Sequence, residues 1–167
     1  LLTGPARADE TDAASSRPQV GDHLVYLTGE KHGEPIRSED LPMGGPQVQA
    51  YPAAPDGTVR DGSRLNLLIV VRIGDEGLSD ETRSRSADGV VAYSGVCTHQ
   101  ACPVNMWSGE LKAFVCSCHG STYDPWDGAE VVAGPAPRHL AALPLKSENG
   151  LLMVAAGFTG RVGMQTS

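Results

Sequence analysis

The sequence predicts an all-β protein, and three observations carry that expectation. The apolar runs are short and rich in β-branched residues, Asx-Gly pairs punctuate them, and no long amphipathic helical period stands out. With 167 residues, 40% of them apolar, the chain is long enough to bury one real core as one domain.

The runs come in this order. Leu65-Asn66-Leu67-Leu68-Ile69-Val70-Val71-Arg72-Ile73 is the longest, and its unbroken apolar character predicts a buried strand. Val90-Val91-Ala92-Tyr93, residues 111–115 and Leu151-Leu152-Met153-Val154 predict three more. Turns are expected at Asp56-Gly57, Asp61-Gly62, Asp88-Gly89, Asp127-Gly128 and Asn149-Gly150, where the residue pairs tolerate positive φ. Residues 79–86, Ser-Asp-Glu-Thr-Arg-Ser-Arg-Ser, read as a solvated surface loop.

The amino-terminal part carries information on organisation. Residues 1–18 read as a flexible tether or the remnant of an export signal. The start, Leu1-Leu2-Thr3-Gly4-Pro5-Ala6-Arg7-Ala8, resembles the end of an apolar export segment with an Ala-x-Ala-type site. No run shown is long enough to span a bilayer, so a membrane anchor would lie upstream of Leu1. Residues 9–18 are small, polar and charged, as a tether requires. Residues 19–55 exceed the needs of a minimal base sheet and read as a docking extension.

Composition excludes several functions. Thirteen Lys and Arg against twenty Asp and Glu give a net charge of −7, which argues against nucleic-acid binding and for a partner with a basic docking face. There is no P-loop, dinucleotide fingerprint or nucleophile–base set. His23, His32 and His139 lack metal-ligand spacing, and Trp107 and Trp126 read as packing residues.

The chemistry concentrates in two segments. Cys97-Thr98-His99-Gln100-Ala101-Cys102 and Cys116-Ser117-Cys118-His119-Gly120-Ser121 hold all four cysteines and two of the five histidines. Thiolates and imidazoles in that density point to a metal centre. The residue types admit an iron–sulfur centre, a tetrahedral zinc site, or a plain disulfide framework.

The two segments resemble the Rieske iron–sulfur proteins, in the disulfide-containing branch of cytochrome bc complexes and arsenite-oxidase-type small subunits. The resemblance covers residues 97–138 and rests on the patterns C-T-H-x-G-C and C-P-C-H-x-S, from which this chain departs at Ala101 and Ser117. It implies a [2Fe–2S] cluster held by Cys97, His99, Cys116 and His119, and a disulfide between Cys102 and Cys118. It further implies two hydroxyls, Ser121 and Tyr123, that donate to cluster sulfur and raise the potential, and a stiff covering loop, Gly134-Pro135-Ala136-Pro137. The architecture implied is an antiparallel β base, residues 19–96 and 138–160, with a cluster-binding subdomain, residues 97–137, inserted into it. Ala101 is expected to keep the first loop out of a left-handed backbone, which suits glycine alone.

The implied ligand set explains the implied task. Two neutral imidazoles in place of two thiolates remove negative charge from the cluster, which favours adding an electron; Rieske potentials accordingly span roughly −150 to +300 mV. An imidazole bound through Nδ1 keeps Nε2 free, and a ferric ion makes that proton easier to lose, coupling reduction to protonation. The resemblance therefore implies an electron-carrying subunit of a respiratory oxidoreductase, periplasmic or on the periplasmic face of the inner membrane. Its implied partners are a c-type cytochrome and a quinol-oxidising subunit of bc type, or alternatively a molybdenum-containing subunit. A ferredoxin serving an oxygenase is the third implied role, and the extra pair Cys102 and Cys118 argues against it. Gln100 stands where quinol-oxidising members often carry an apolar residue.

Overall fold

A computed structural model describes residues 13–164. The base sheet contains β1 (His23–Tyr26), β2 (Val48–Ala53), β3 (Leu68–Arg72), β4 (Val90–Ser94), β9 (Leu145–Glu148) and β10 (Leu151–Val154), in the order β4-β3-β2-β1-β10-β9. Between β4 and β9 the chain forms a second antiparallel sheet of β5 (Met106–Ser108), β6 (Ala113–Val115), β7 (Thr122–Asp124) and β8 (Glu130–Ala133). The base sheet curls: Ser94 N–H donates to Ala141 O at 2.8 Å and Leu143 N–H to Ala92 O at 2.9 Å, so the segment leading into β9 pairs with β4. This covers an edge that would otherwise be open to other chains. The fold is all-β apart from short helical turns.

The long apolar run makes a strand buried on both faces. Leu68 and Val70, with Val90 and Ala92 of β4, fill the base core. Ile69 and Val71, with Val91 and Tyr93, face the second core, which also takes Phe114, Tyr123, Cys97 and Cys116. Alternate side chains of β3 thus serve two cores, and for that reason its sequence does not alternate. Trp107 and Trp126 pack, half-buried, against the second core.

Several expected boundaries move. The run 65–73 yields only Leu68–Arg72, because Arg64–Asn66 forms a 3-10 turn capped by the Ser63 side chain. Asn66 is fully buried and its amide donates to Ser16 O and Arg60 O, which takes the chain out of the sheet there. In residues 111–115 the strand starts at Ala113, since Lys112 sits at φ 53° in the turn joining β5 to β6. Residues 19–55 contribute β1 and β2, and β1 lies between β2 and β10. They are part of the base rather than an extension to it.

Residues 79–86 are not a loop either. They form α1 (Asp80–Arg85), with Ser79 Oγ accepting from Thr82 N–H, acidic residues in the first turn and basic ones in the last. Thr82 is buried and its hydroxyl accepts from Gly128 N–H at 2.8 Å, fastening α1 to the loop between β7 and β8.

The turns at Asp88-Gly89 and Asn149-Gly150 take positive φ at both residues, as two-residue hairpin loops require. Gly62 has no positive φ; a Cβ there would lie 2.7 Å from Ser15 Oγ and 3.0 Å from the Ala14 backbone. That close approach belongs to a clamp. Arg60 grips buried Asp22 at 2.6 and 3.0 Å and donates to Ala13 O at 2.6 Å, while Gly62 N–H bonds Ala14 O. Residues 13–16 of the expected tether are therefore bonded to the base. Residues 1–12, with the expected export-signal remnant, lie outside the described residues. Among the described residues no helix is long and apolar enough to cross a membrane.

One acid-stability effect follows from Asp88. Hydrogen bonds from the Ser147 and Ser38 side chains hold its carboxyl below the usual carboxylate range. A depressed folded-state pKa contributes stability that is complete above the ordinary value of about 3.9 and lost as pH falls through the depressed one. Asp88→Asn keeps the turn and removes the charge. Its Tm deficit against the parent is expected to be constant near neutrality and to shrink below about pH 4; a deficit that grows in acid would contradict this.

Candidate metal centre

Both cysteine segments leave the end of a strand and close in the same way. Cys97 N–H donates to Cys102 O and Ala101 N–H to Cys97 O, at 2.8 and 2.9 Å. Cys116 N–H donates to Ser121 O and Gly120 N–H to Cys116 O, again at 2.8 and 2.9 Å. The fifth residue of each loop is left-handed: Ala101 at φ 60° and Gly120 at φ 76°. The expectation that Ala101 would keep its loop out of this region is therefore wrong. The loop's closing hydrogen bonds impose the left-handed angle, and alanine bears a strain of about 1 kcal/mol that glycine would not.

This geometry turns each thiol into its own loop. The N–H groups of His99 and Gln100 point at Cys97 Sγ, and those of Cys118 and His119 at Cys116 Sγ. Burial pushes the Cys97 thiol up, but hydrogen bonds from the Tyr123 hydroxyl and the two N–H groups outweigh it and the net shift is downward. Cys116 moves up, through burial first and then its closeness to Cys97. Cys97 is therefore the readier thiolate.

The cysteines are inside and the histidines outside. Cys97 and Cys116 are each 1% exposed, whereas His99 is half-buried and His119 exposed. The two rings meet edge to face, centroids 4.8 Å apart. The disulfide Cys102–Cys118 joins the two loops. Among the described residues the trio of His, Cys, Asp or Glu ligand atoms that lie within 4.8 Å of one another is Cys102, Cys116 and Cys118, two of which are spent in the disulfide. No three donors among Cys97, His99, Cys116 and His119 come that close. A zinc tetrahedron, with bonds of about 2.0–2.3 Å, would require all four to do so.

Tyr123 and Ser121 lie beneath the loops, both fully buried. Tyr123 Oη is 3.2 Å from Cys97 Sγ and accepts from Thr98 N–H at 3.3 Å. Burial, and the bond to Cys97, push this hydroxyl above the usual tyrosine range, so it keeps its proton to donate. Ser121 Oγ accepts from Ala136 N–H at 3.1 Å, which pins the Gly134-Pro135-Ala136-Pro137 segment over the second loop. Gly134 touches the Ser121 backbone so closely that a Cβ would lie 2.5 Å from Ser121 Cα. Pro135 and Pro137 face solvent, without N–H groups to satisfy.

Sequence reasoning missed the supports of the first loop. Arg64 donates to Ala101 O at 2.7 Å, and the Gln47 amide donates to Val104 O and Met106 O. Thr98 Oγ1 donates to Arg138 O at 2.7 Å, and Arg138 in turn donates to Gly163 O at 2.7 Å. Only Thr98 and Arg138 could have drawn attention in advance, since both lie within the segments that carry the resemblance.

Residues 50–144 match the Rieske [2Fe–2S] domain family, and the chain belongs to it. Its cofactor is the [2Fe–2S] cluster of that family, and its task is electron transfer. Over 164 residues it is 33% identical to a Haloferax mediterranei protein named as a Rieske subunit of respiratory nitrate reductase, covering 97% of this chain and 69% of that one. It is 30% identical to the cytochrome bc1 complex Rieske iron–sulfur subunit of Streptomyces lividans, covering 78% of this chain and 79% of the relative. A chain of a solved hyperthermophilic respiratory Complex III is 26% identical over 76% of this chain and 81% of its own, with a TM-score of 0.47.

Proposed function

We propose that Cys97, His99, Cys116 and His119 hold the cluster, and that the chain passes single electrons from a quinol-oxidising subunit to a c-type cytochrome on the periplasmic face of a membrane. The observation that carries the reading is the partition of the donors: two buried thiols, and two imidazoles at the surface. His99 Nδ1 fits the role of ligand. It is buried without a hydrogen-bond partner, a cost of about 1–3 kcal/mol unless a metal takes its lone pair. The cluster supplies a one-electron acceptor and donor whose potential the surrounding hydrogen bonds set.

The chain's residues do the rest. Buried Cys97 and Cys116 keep one side dry, while the rings of His99 and His119 bring the other within reach of a partner. Each imidazole's Nε2 can hold a proton or release it to a partner. Tyr123 Oη donates to Cys97 Sγ and Ser121 lies next to the second loop, which favours the reduced state and a potential in the upper half of the family range. A periplasmic location is supported by the disulfide Cys102–Cys118, because such bonds persist in oxidising compartments.

A second reading has its own support. The relative named as a nitrate reductase Rieske subunit aligns with 97% of this chain, against 78% for the bc1 relative. On that reading the donor or acceptor is a molybdenum-type reductase rather than a quinol-oxidising subunit, with the same four ligands.

Redox titration of the holoprotein with EPR of the reduced form tests the site. The expected result is a Rieske spectrum with a high midpoint that falls as pH rises. Tyr123→Phe should retain the cluster and lower the midpoint by about 60 mV, the one-electron equivalent of a single charge-assisted hydrogen bond. An unchanged midpoint would remove Tyr123 from the reading. A colourless, EPR-silent protein would remove the ligand set. Reduction by a quinol analogue in the presence of membranes from the source separates the bc-type reading from the reductase one.

A further inference from the structure

Residues 156–163 follow the last strand and fold back over the site. Thr159 N–H donates to Ala142 O at 2.9 Å, and its hydroxyl accepts from Ala142 N–H at 3.1 Å. Val162 is 4% exposed in a small cluster with Leu67, Val96 and Ala141. Gly163, at φ 62°, is so close to the first ligand loop that a Cβ there would lie 2.8 Å from Val96 Cγ1. From this strap a line of hydrogen bonds runs inward. Arg138 donates to Gly163 O, Thr98 Oγ1 donates to Arg138 O, and Tyr123 Oη lies 3.3 Å from Thr98 Oγ1 and 3.2 Å from Cys97 Sγ.

We infer that the carboxy-terminal strap is a positioning element for the cluster site, acting through Arg138 and Thr98 on the hydrogen bond between Tyr123 and Cys97. The proton count gives the mechanism. Thr98 Oγ1 has one proton, and the Arg138 carbonyl, which can only accept, takes it. The Tyr123 hydroxyl already accepts from Thr98 N–H, so its own proton is left for Cys97, whose thiolate is a stronger acceptor than a neutral hydroxyl. The bond from its guanidinium to Gly163 O ties Arg138, and with it the carbonyl that Thr98 uses, to the strap. This inference rests on Cys97 being a cluster ligand.

Gly163→Ala tests it without changing any charge. The added Cβ must push the strap off Val96, and the φ is unfavourable for alanine. In the holoprotein the variant should show a lower midpoint than the parent and cluster loss to a chelator about tenfold faster. Built on Tyr123→Phe, the same substitution should lower the midpoint no further, because its route to Cys97 is already cut. Arg138→Lys, which preserves the charge and part of the reach to Gly163 O, should fall between parent and Gly163→Ala, and serves if Gly163→Ala does not fold. A parent-like midpoint in both variants, or a shift that simply adds to that of Tyr123→Phe, would overturn the inference. An unchanged midpoint in Tyr123→Phe itself would also overturn the inference, since the strap acts through that hydroxyl, whereas a colourless, EPR-silent parent would remove the ligand set on which the inference rests.

Discussion

Cys102→Ser is expected to make the cluster labile while leaving the base folded. The two cysteine loops are not held equally. The first is bolted by Arg64 at Ala101 O, by Thr98 at Arg138 O, and by Val104 N–H bonded to Gly95 O. In the second, Ser117, Cys118, His119 and Gly120 are exposed, and the bonds of Cys116, Gly120 and Thr122 stay within the loop itself. The disulfide is thus the tie that fixes the second loop to the first, closing a span of 16 residues. Constraining a loop of that length is worth about 3 kcal/mol, which corresponds to roughly a hundredfold in an equilibrium between ordered and open loops. Bleaching of the visible absorbance under chelator should accelerate on that scale, with hydrogen exchange at Gly120 rising before that at Ala101. Thermal melting of the base, whose core lies in a different cluster of side chains, should change far less. A variant that bleaches at the parental rate would show that the bond from Ala136 N–H to Ser121 Oγ is enough to hold the second loop without the disulfide.

What the sequence made legible, and what it did not, follows from the range of the interactions. The strands β3, β4 and β10 were readable because β-branched runs and Asx-Gly turns are local signals. Strand β1, only four residues long, has no such run; its place between β2 and β10 depends on partners distant in sequence. Helix α1 carried a local signal in its Ser79 cap, acidic first turn and basic last turn, but six residues show no apolar period, and what secures it is the distant contact of Thr82 with Gly128.

The site divides in the same way. Its donor atoms are concentrated in two short segments that the resemblance covers, so the residues brought together around Cys97 and Cys116 could be named beforehand. The glycine that the motif carries at the position of Ala101 was a signal for a left-handed angle; that alanine takes the angle all the same follows from the two hydrogen bonds that close the loop, as they do at Gly120. The supports supplied by Gln47, Arg64 and Gly163 come from outside the motif, and no spacing links them to it.

Gly134→Ala should damage the site as severely as loss of the disulfide, by a steric route. At φ 87° an L side chain is strained by about 1–2 kcal/mol. The added carbon would also meet Ser121 Cα at 2.5 Å, Ser121 N at 2.8 Å and Gly120 O at 3.0 Å, all backbone atoms that cannot rotate away. Overpacking of this kind costs about 1–3 kcal/mol more, and the strain is relieved only if the covering loop lifts or the second ligand loop shifts. Either movement breaks the bond from Ala136 N–H to Ser121 Oγ and uncovers the side of the site next to His119. The expected outcome is a protein that folds with its disulfide formed but retains little cluster, seen as a low ratio of visible to ultraviolet absorbance after purification. Gly120→Ala offers the contrast: the φ is similar, at 76°, but a Cβ there meets nothing within 4 Å. It should lose only the backbone-strain portion and keep most of its cluster, and equal damage from both substitutions would show that strain rather than collision governs this side of the site.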